Sequence, residues 1–270
     1  MVFSNLVVWS RIYSSNSGEL VVYFLDVGQG DAILIESPIQ GRVLIDGGPD
    51  RKVLSELGRV LPFGDRRIDV VIETHPDSDH ITGLVEVVRR FEVNSFISTG
   101  MKSDNSLDED LAEVLEDKDI KSIKAKRGLE IDLGGGAVLT ILFPSGSIDG
   151  FETNDASIVS KLTLGNKSFL LTGDSTKRTE YILLSLNKEI LDVDVMQVGH
   201  HGSETSTSLL YAKAVSPEYA VISSGKNNRY GHPRQATLDT LSKVNTQILN
   251  TAQVGAIEFK TDGETLEVGY

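Results

Sequence analysis

The sequence predicts an α/β fold, a four-layer αββα sandwich in which two sheets pack face to face beneath outer helices. Two observations predict it. Runs of β-branched residues broken by glycine turns give way to alternating strands and helices, and this succession occurs twice along the 270 residues. In addition, all five histidines fall on connections at strand ends, the rim where such a sandwich carries a site.

The first block opens with strands predicted over 20–27, 32–36 and 42–45, punctuated by Gly28-Gln29-Gly30 and Gly47-Gly48. Helical spacing follows over 51–60, then an apolar strand over 68–73 and a helix over 81–91 whose Leu84, Val87, Val88 and Phe91 share a face. An acidic amphipathic helix over 107–115 closes the block. The sheet pattern restarts with a hairpin of 129–133 and 138–143 around Gly134-Gly135-Gly136, and strands over 157–164 and 168–171 follow. Helices near 177–186, 208–214 and 235–244 then alternate with strands over 193–198 and 219–222, and terminal strands run to 268. No repeat or low-complexity tract marks a second boundary, so residues 19–270 read as one domain. Residues 1–18 read as a tail or as the remnant of a membrane anchor. The apolar stretch over 3–9 stops short of the ~20 residues a bilayer span needs, and Ser14-Ser15-Asn16-Ser17-Gly18 has the composition of a flexible linker.

Composition narrows the chemistry. The absence of cysteine excludes disulfides, thiolate-bound zinc and thiol catalysis. A formal charge of −13 and a pI near 4.8 argue against broad binding to phosphate backbones, which takes a basic stripe. Lys121, Lys124, Lys126 and Arg127 are the candidate stripe, with a solvated strand face as the plainer reading. No stable protein partner is inferred. The chain reads as a soluble, bacterial-type protein, extracytoplasmic and membrane-attached only if an upstream anchor has been removed.

The densest chemistry is His75-Pro76-Asp77-Ser78-Asp79-His80, between an apolar strand and a helix. A strand-to-helix turn aims several side chains one way, and imidazole nitrogens with carboxylate oxygens suit borderline to hard divalent cations. The alternative is that Asp77 or Asp79 merely caps the helix. Asp174 ends another apolar strand after Gly173; a carboxylate at that rim could bridge two metal ions, although a strand-end Asp is commonly just an N-cap. His200 and His201, between Gly199 and Gly202, and His232, after Gly231, complete the histidine inventory.

The run His75-x-Asp77-x-Asp79-His80 resembles the His-x-His-x-Asp-His signature of the metallo-β-lactamase superfamily, with Asp174 in the place of its bridging carboxylate. The segments 24–32, 44–48, 74–83, 169–174 and 198–203 look like the nuclease-like domain of ComEC-type competence proteins, which take up DNA. The resemblance implies an αββα fold of the metallo-β-lactamase type and a hydrolase in which a metal-bound hydroxide attacks a phosphodiester of DNA or RNA. One or two divalent ions, zinc or manganese with magnesium as an option, would be held by His75, Asp77, Asp79, His80, Asp174 and one imidazole of the His200-His201 pair, taken as His200. Asp79 would orient the hydroxide, and His201 or His232 would protonate the leaving oxygen; spacing leaves open which imidazole ligates and which donates. Asp26, Asp31 and Asp46 are expected as supporting acceptors or strand-end polar groups.

Two departures stand out. Asp77 occupies a place where most members have histidine, and Asn154 falls near the place of a third histidine, which shifts preference from zinc toward manganese or magnesium. The same site could instead open a β-lactam or another small amide or ester. A catalytically silent binding domain is the third reading.

Overall fold

In the computed structural model, which describes residues 5–7, 18–39, 41–103 and 106–270, the repeated pattern becomes two eight-stranded sheets. Strand β1 (Asn5–Val7) is the one described part of the N-terminal tail before Gly18; the linker expected over 14–17 lies outside the described residues. Strands β2 (Leu20–Phe24), β3 (Ile33–Glu36) and β4 (Arg42–Ile45) form an antiparallel meander. Beyond it α1 (Lys52–Val60), α2 (Ser78–Arg90) and α3 (Leu107–Asp117) connect β5 (Arg67–Ile72), β6 (Glu92–Ser98) and β7 (Lys121–Lys124), which run parallel to β4.

The second half repeats this plan. An antiparallel meander of β8 (Glu130–Gly134), β9 (Ala137–Phe143), β10 (Val159–Leu164) and β11 (Lys167–Leu171) is followed by parallel β12 (Val195–Gln197), β13 (Tyr219–Ile222) and β14 (Gln247–Asn250). Helices α4 (Lys177–Asn187), α5 (Leu209–Val215) and α6 (Gln235–Ser242) make the crossovers, and β1 lies beside β8. After the short α7 (Thr251–Val254), the hairpin of β15 (Ile257–Thr261) and β16 (Leu266–Gly269) returns to the first sheet beside β2.

Side-chain alternation produces the layers. In β3, Ile33 and Ile35 enter the core between the sheets, whereas Leu34 joins Leu57 of α1 and Leu84 of α2 on the outer side. In β11, Phe169 and Leu171 face inward, whereas Leu170 joins Leu183 of α4 and Tyr211 of α5. Strands covered on both faces read as unbroken apolar runs, which is why these were visible in the sequence. Strand β6 carries Glu92, Asn94 and Ser95 and has no such run; pairing with β5 and β7 makes it a strand. Lys121 and Lys124 sit exposed on β7, the outermost strand, where lysines deter edge-to-edge pairing. No helix among the described residues is long and apolar enough to cross a membrane.

Helix α2 begins at Ser78, three residues before its apolar spacing starts, so Asp79 and His80 belong to its first turn. A contact between two glycines seats that turn. Gly47 N donates to His80 O (2.8 Å) and Gly83 N donates to Gly48 O (3.0 Å), while a Cβ on Gly83 would stand 1.8 Å from Gly47 O. Gly58, within α1, has open space around it. Gly83→Ala is therefore expected to destabilise the fold by about 3 kcal/mol, whereas Gly58→Ala stabilises it by roughly 0.5 kcal/mol. Urea denaturation followed by circular dichroism measures both.

Candidate metal centre

The polar residues collect where strands end. Asp46 follows β4, His75 follows β5, Asp174 follows β11, and the turn Gly199–Gly202 after β12 carries His200 and His201. Three of these hold left-handed backbone: Asp46 at φ 57°, His200 at φ 50° and His201 at φ 54°. Non-glycine residues rarely adopt it, and such strain concentrates at functional sites. The capping alternatives do not hold. Asp77 is the N-cap of α2 but its side chain makes no cap bond, and α4 is capped by Thr176, which accepts from Arg178 N, rather than by Asp174.

Asp174 is the hub. Its carboxylate lies 4.0 Å from His75 Nε2, 3.5 Å from His80 Nε2, 3.8 Å from His200 Nε2 and 3.3 Å from His201 Nε2. Two flanks branch from it. On one, Asp77 is 3.7 Å from His75 Nε2, and Asn154 Nδ2 stands 3.4 Å from His200 Nε2. On the other, Asp79 is 3.4 Å from His201 Nε2. His232 stands outside the cluster and touches it through His200, with ring centroids 5.7 Å apart.

Hydrogen bonds on the far side of each ring set the tautomers. His80 Nδ1 donates to Asp46 Oδ2 (2.8 Å), and His201 Nδ1 donates to the carbonyl of Ser223 (3.0 Å). Thr74 Oγ1 donates its single proton to Asp46 Oδ2 (2.6 Å), so it accepts from His75 Nδ1 (3.0 Å). In neutral rings this leaves a lone pair on each Nε2. His75 Nε2, His80 Nε2, His201 Nε2 and Asp174 Oδ1 are all buried without a hydrogen-bond partner. Orphaned buried polar atoms are rare; convergent imidazole lone pairs and a carboxylate oxygen are the donor set of a divalent cation. The residues present fit such an ion.

Asp31, Asp46 and Asp26 have separate roles. Asp31, His80, Asp174 and His201 each bring one donor atom within 4.8 Å of the others. Asp31 approaches the Nδ1 edges, at 3.9 Å from His80 and 3.7 Å from His201, and accepts from Gln197 Nε2 (2.8 Å). Asp46, fully buried, also accepts from Thr74 N (2.8 Å) and so braces His80 and the strand end together. Asp26 pairs with Lys52 (3.0 Å) and caps a turn at Gly28, away from the cluster.

Burial opposes charge throughout, and at some of these groups neighbouring charges outweigh it. It would strip protons from His80 and His201, but Asp174, with Asp46 beside the first and Asp31 beside the second, holds both pKa values well above the usual imidazole range. Asp174 is held well below the carboxylate range, against its burial, by His201 and His80. Burial, with His80 nearby, lowers His75 to about 3. Burial raises Asp31 to about 6, and it raises Asp77 as well. Asp79 falls to about 2 because the nearby His201 and His80 imidazoles outweigh burial. Burial and the neighbouring His200 lower His232 to about 4.

The structure thus brings together His75, Asp77, Asp79, His80, Asp174, His200 and His201, with His232 at the margin. It adds Thr74, Gln197 and the Ser223 carbonyl as supports. Thr74 adjoins the motif and Gln197 ends a strand, so both carried a positional signal; a backbone carbonyl carries none.

Comparison with known proteins agrees with the fold. The family model of the metallo-β-lactamase superfamily matches residues 25–226. The chain is 32% identical to ComE operon protein 3 of Bacillus subtilis, over 92% of this chain and 34% of that protein. It is 30% identical to competence protein ComA of Neisseria gonorrhoeae, over 89% and 32% respectively. It therefore spans about a third of the length of these curated relatives. The metallo-β-lactamase fold protein YhfI of Bacillus subtilis superposes with a TM-score of 0.59 at 14% identity, covering 93% of this chain and 100% of YhfI.

Replacing Asp46 frees the His80 ring. Asp46→Ala is expected to weaken metal binding by roughly 10- to 100-fold while the fold persists. Competition with a chromophoric chelator, with circular dichroism as control, checks this.

Proposed function

This chain belongs to the metallo-β-lactamase superfamily, and from that premise we propose that it is a metal-dependent phosphodiesterase acting on DNA or RNA. The observation that carries the reading is the convergence of three partnerless Nε2 atoms on Asp174. The competence proteins among its relatives, and the ComEC-like segments of the sequence, favour nucleic acid as the substrate.

In this reading Asp79, His80, Asp174 and His201 hold one divalent cation, and His75, Asp77 and Asp174, with His200 beside them, hold a second. The preference is manganese or zinc, with magnesium admitted by the oxygen-rich second flank. A bound cation there supplies Lewis acidity, brings the pKa of water toward neutrality and offsets charge on the phosphoryl oxygens. The chain's own groups do the rest. Asp46, Thr74 and the Ser223 carbonyl keep the Nδ1 protons in place, so that the Nε2 atoms stay turned inward. Asp79, the partly exposed carboxylate of its flank, orients the attacking water. His232, at the solvent margin next to His200 and outside the ligand set, is the histidine left to hand a proton to the leaving oxygen.

Chelator-stripped protein is expected to be inactive and to regain cleavage of bis-p-nitrophenyl phosphate and of oligonucleotides on adding manganese or zinc. Asp174→Asn or Asp79→Ala should lower that rate more than ~100-fold with the fold intact. Hydrolysis of nitrocefin in place of phosphodiesters would transfer the assignment to amide or ester chemistry. Failure to bind any metal after reconstitution would leave a binding domain.

A further inference from the structure

The loop 225–234, between β13 and α6, carries Lys226, Arg229 and Arg234 with no acidic residue among them, in a chain of formal charge −13. All three are exposed, as is Tyr230. Hydrogen bonds hold the loop in one shape. Asn228 Nδ2 donates to the carbonyls of Gly225 (2.9 Å) and His232 (2.6 Å), while its Oδ1 accepts from His232 N (2.9 Å). Gly225 N donates to Gln29 Oε1 (3.1 Å), and Arg234 N donates to the carbonyl of Gly202 (2.9 Å), in the turn that carries His201.

Tyr230 heads a file of rings that leads inward. It stacks on His232 with centroids 5.7 Å apart and planes 26° apart; His232 meets His200 edge-on at 5.7 Å, and His200 lies 6.1 Å from His201. The Arg229 guanidinium lies over the tyrosine ring, 4.9 Å from its centroid, and donates to the phenol oxygen (2.7 Å). A solvated guanidinium costs little to move, and an aromatic face that attracts a planar cation also accepts an unpaired base.

We infer that Tyr230 is a base-stacking platform and that the substrate is a single-stranded polynucleotide, bound without regard to sequence. The base takes the guanidinium's place on the ring. The displaced Arg229, with Lys226 and Arg234, meets the flanking phosphates, and the chain then runs along His232 toward Asp174. A duplex keeps its bases paired and offers none to the ring. This inference rests on the phosphodiesterase reading.

The test compares three same-length probes, single-stranded DNA, single-stranded RNA and an abasic strand. Binding is read by fluorescence anisotropy with metal chelated, and cleavage of the same strands by metal-loaded protein. Tyr230→Ala should weaken binding of the base-bearing strands about 5- to 100-fold, lower kcat/KM on them similarly, and leave abasic binding unchanged. Tyr230→Phe, which keeps the ring, should behave as wild type on all three. Equal loss on all three strands, or no loss on any, overturns the platform. If wild-type protein cuts nucleic acid while Tyr230→Ala is neutral, only the platform falls; if it opens nitrocefin and neither binds nor cuts any strand, the phosphodiesterase reading falls with it.

Discussion

The site depends on the charge balance around Asp174. Carrying a carboxylate into a protein interior costs several kcal/mol unless partners match its charge. Here the carboxylate is buried among four imidazoles, each within 4.0 Å of it. The surrounding aspartates push the pKa values of two of those rings up, so without a metal a proton is the charge that offsets the carboxylates. A divalent cation would offer the same neutralisation, with the Nε2 lone pairs and the carboxylate oxygen available to hold it. Binding it displaces protons, which couples metal affinity to folding and to pH.

That balance needs backbone held to a fraction of an ångström, and the fold obtains it from close approach. Gly47 and Gly83 let the loop after β4 touch the first turns of α2, which fixes His80 against Asp46. Gly173 also packs closely on Thr74, since a Cβ there would lie 2.9 Å from the threonine side chain; Asp174 and His75 are thereby held at neighbouring strand ends. The left-handed His200 and His201 are followed by Gly202, itself at φ 81°. The two halves of the repeated plan each supply part of the site, and the inter-sheet core registers one half against the other.

Net acidity and a phosphate-bearing substrate are compatible because charge is distributed unevenly. Carboxylates dominate the cluster, where cations would offset them. The exposed Lys226, Arg229 and Arg234 stand over its margin on a loop without acids. The lysines of β7 look like a second basic stripe in the sequence, but their place on a sheet edge accounts for them structurally.

By itself the sequence determined the layer plan and pointed to most of the residues that meet around Asp174, although His232 stands outside the cluster and Asp31 comes nearer to it than expected. The apolar runs of β3, β4 and β11, bounded by turn residues, read as strands covered on both faces, and all five histidines read as lying at strand ends. The sequence could not assign tasks at those ends. His200 and His201 are adjacent and chemically identical in sequence, yet His201 is buried with its Nε2 unpartnered, while His200 is partly exposed and faces the Asn154 amide. The distinction comes from a Ser223 carbonyl and an Asn154 side chain delivered by other segments. Asp31 and Asp46 likewise looked alike as strand-end acids; one came to back two rings and the other to fix His80. Only tertiary structure decided these roles, because the role of an imidazole or a carboxylate depends on which of its atoms is already engaged, and residues remote in the chain engage it.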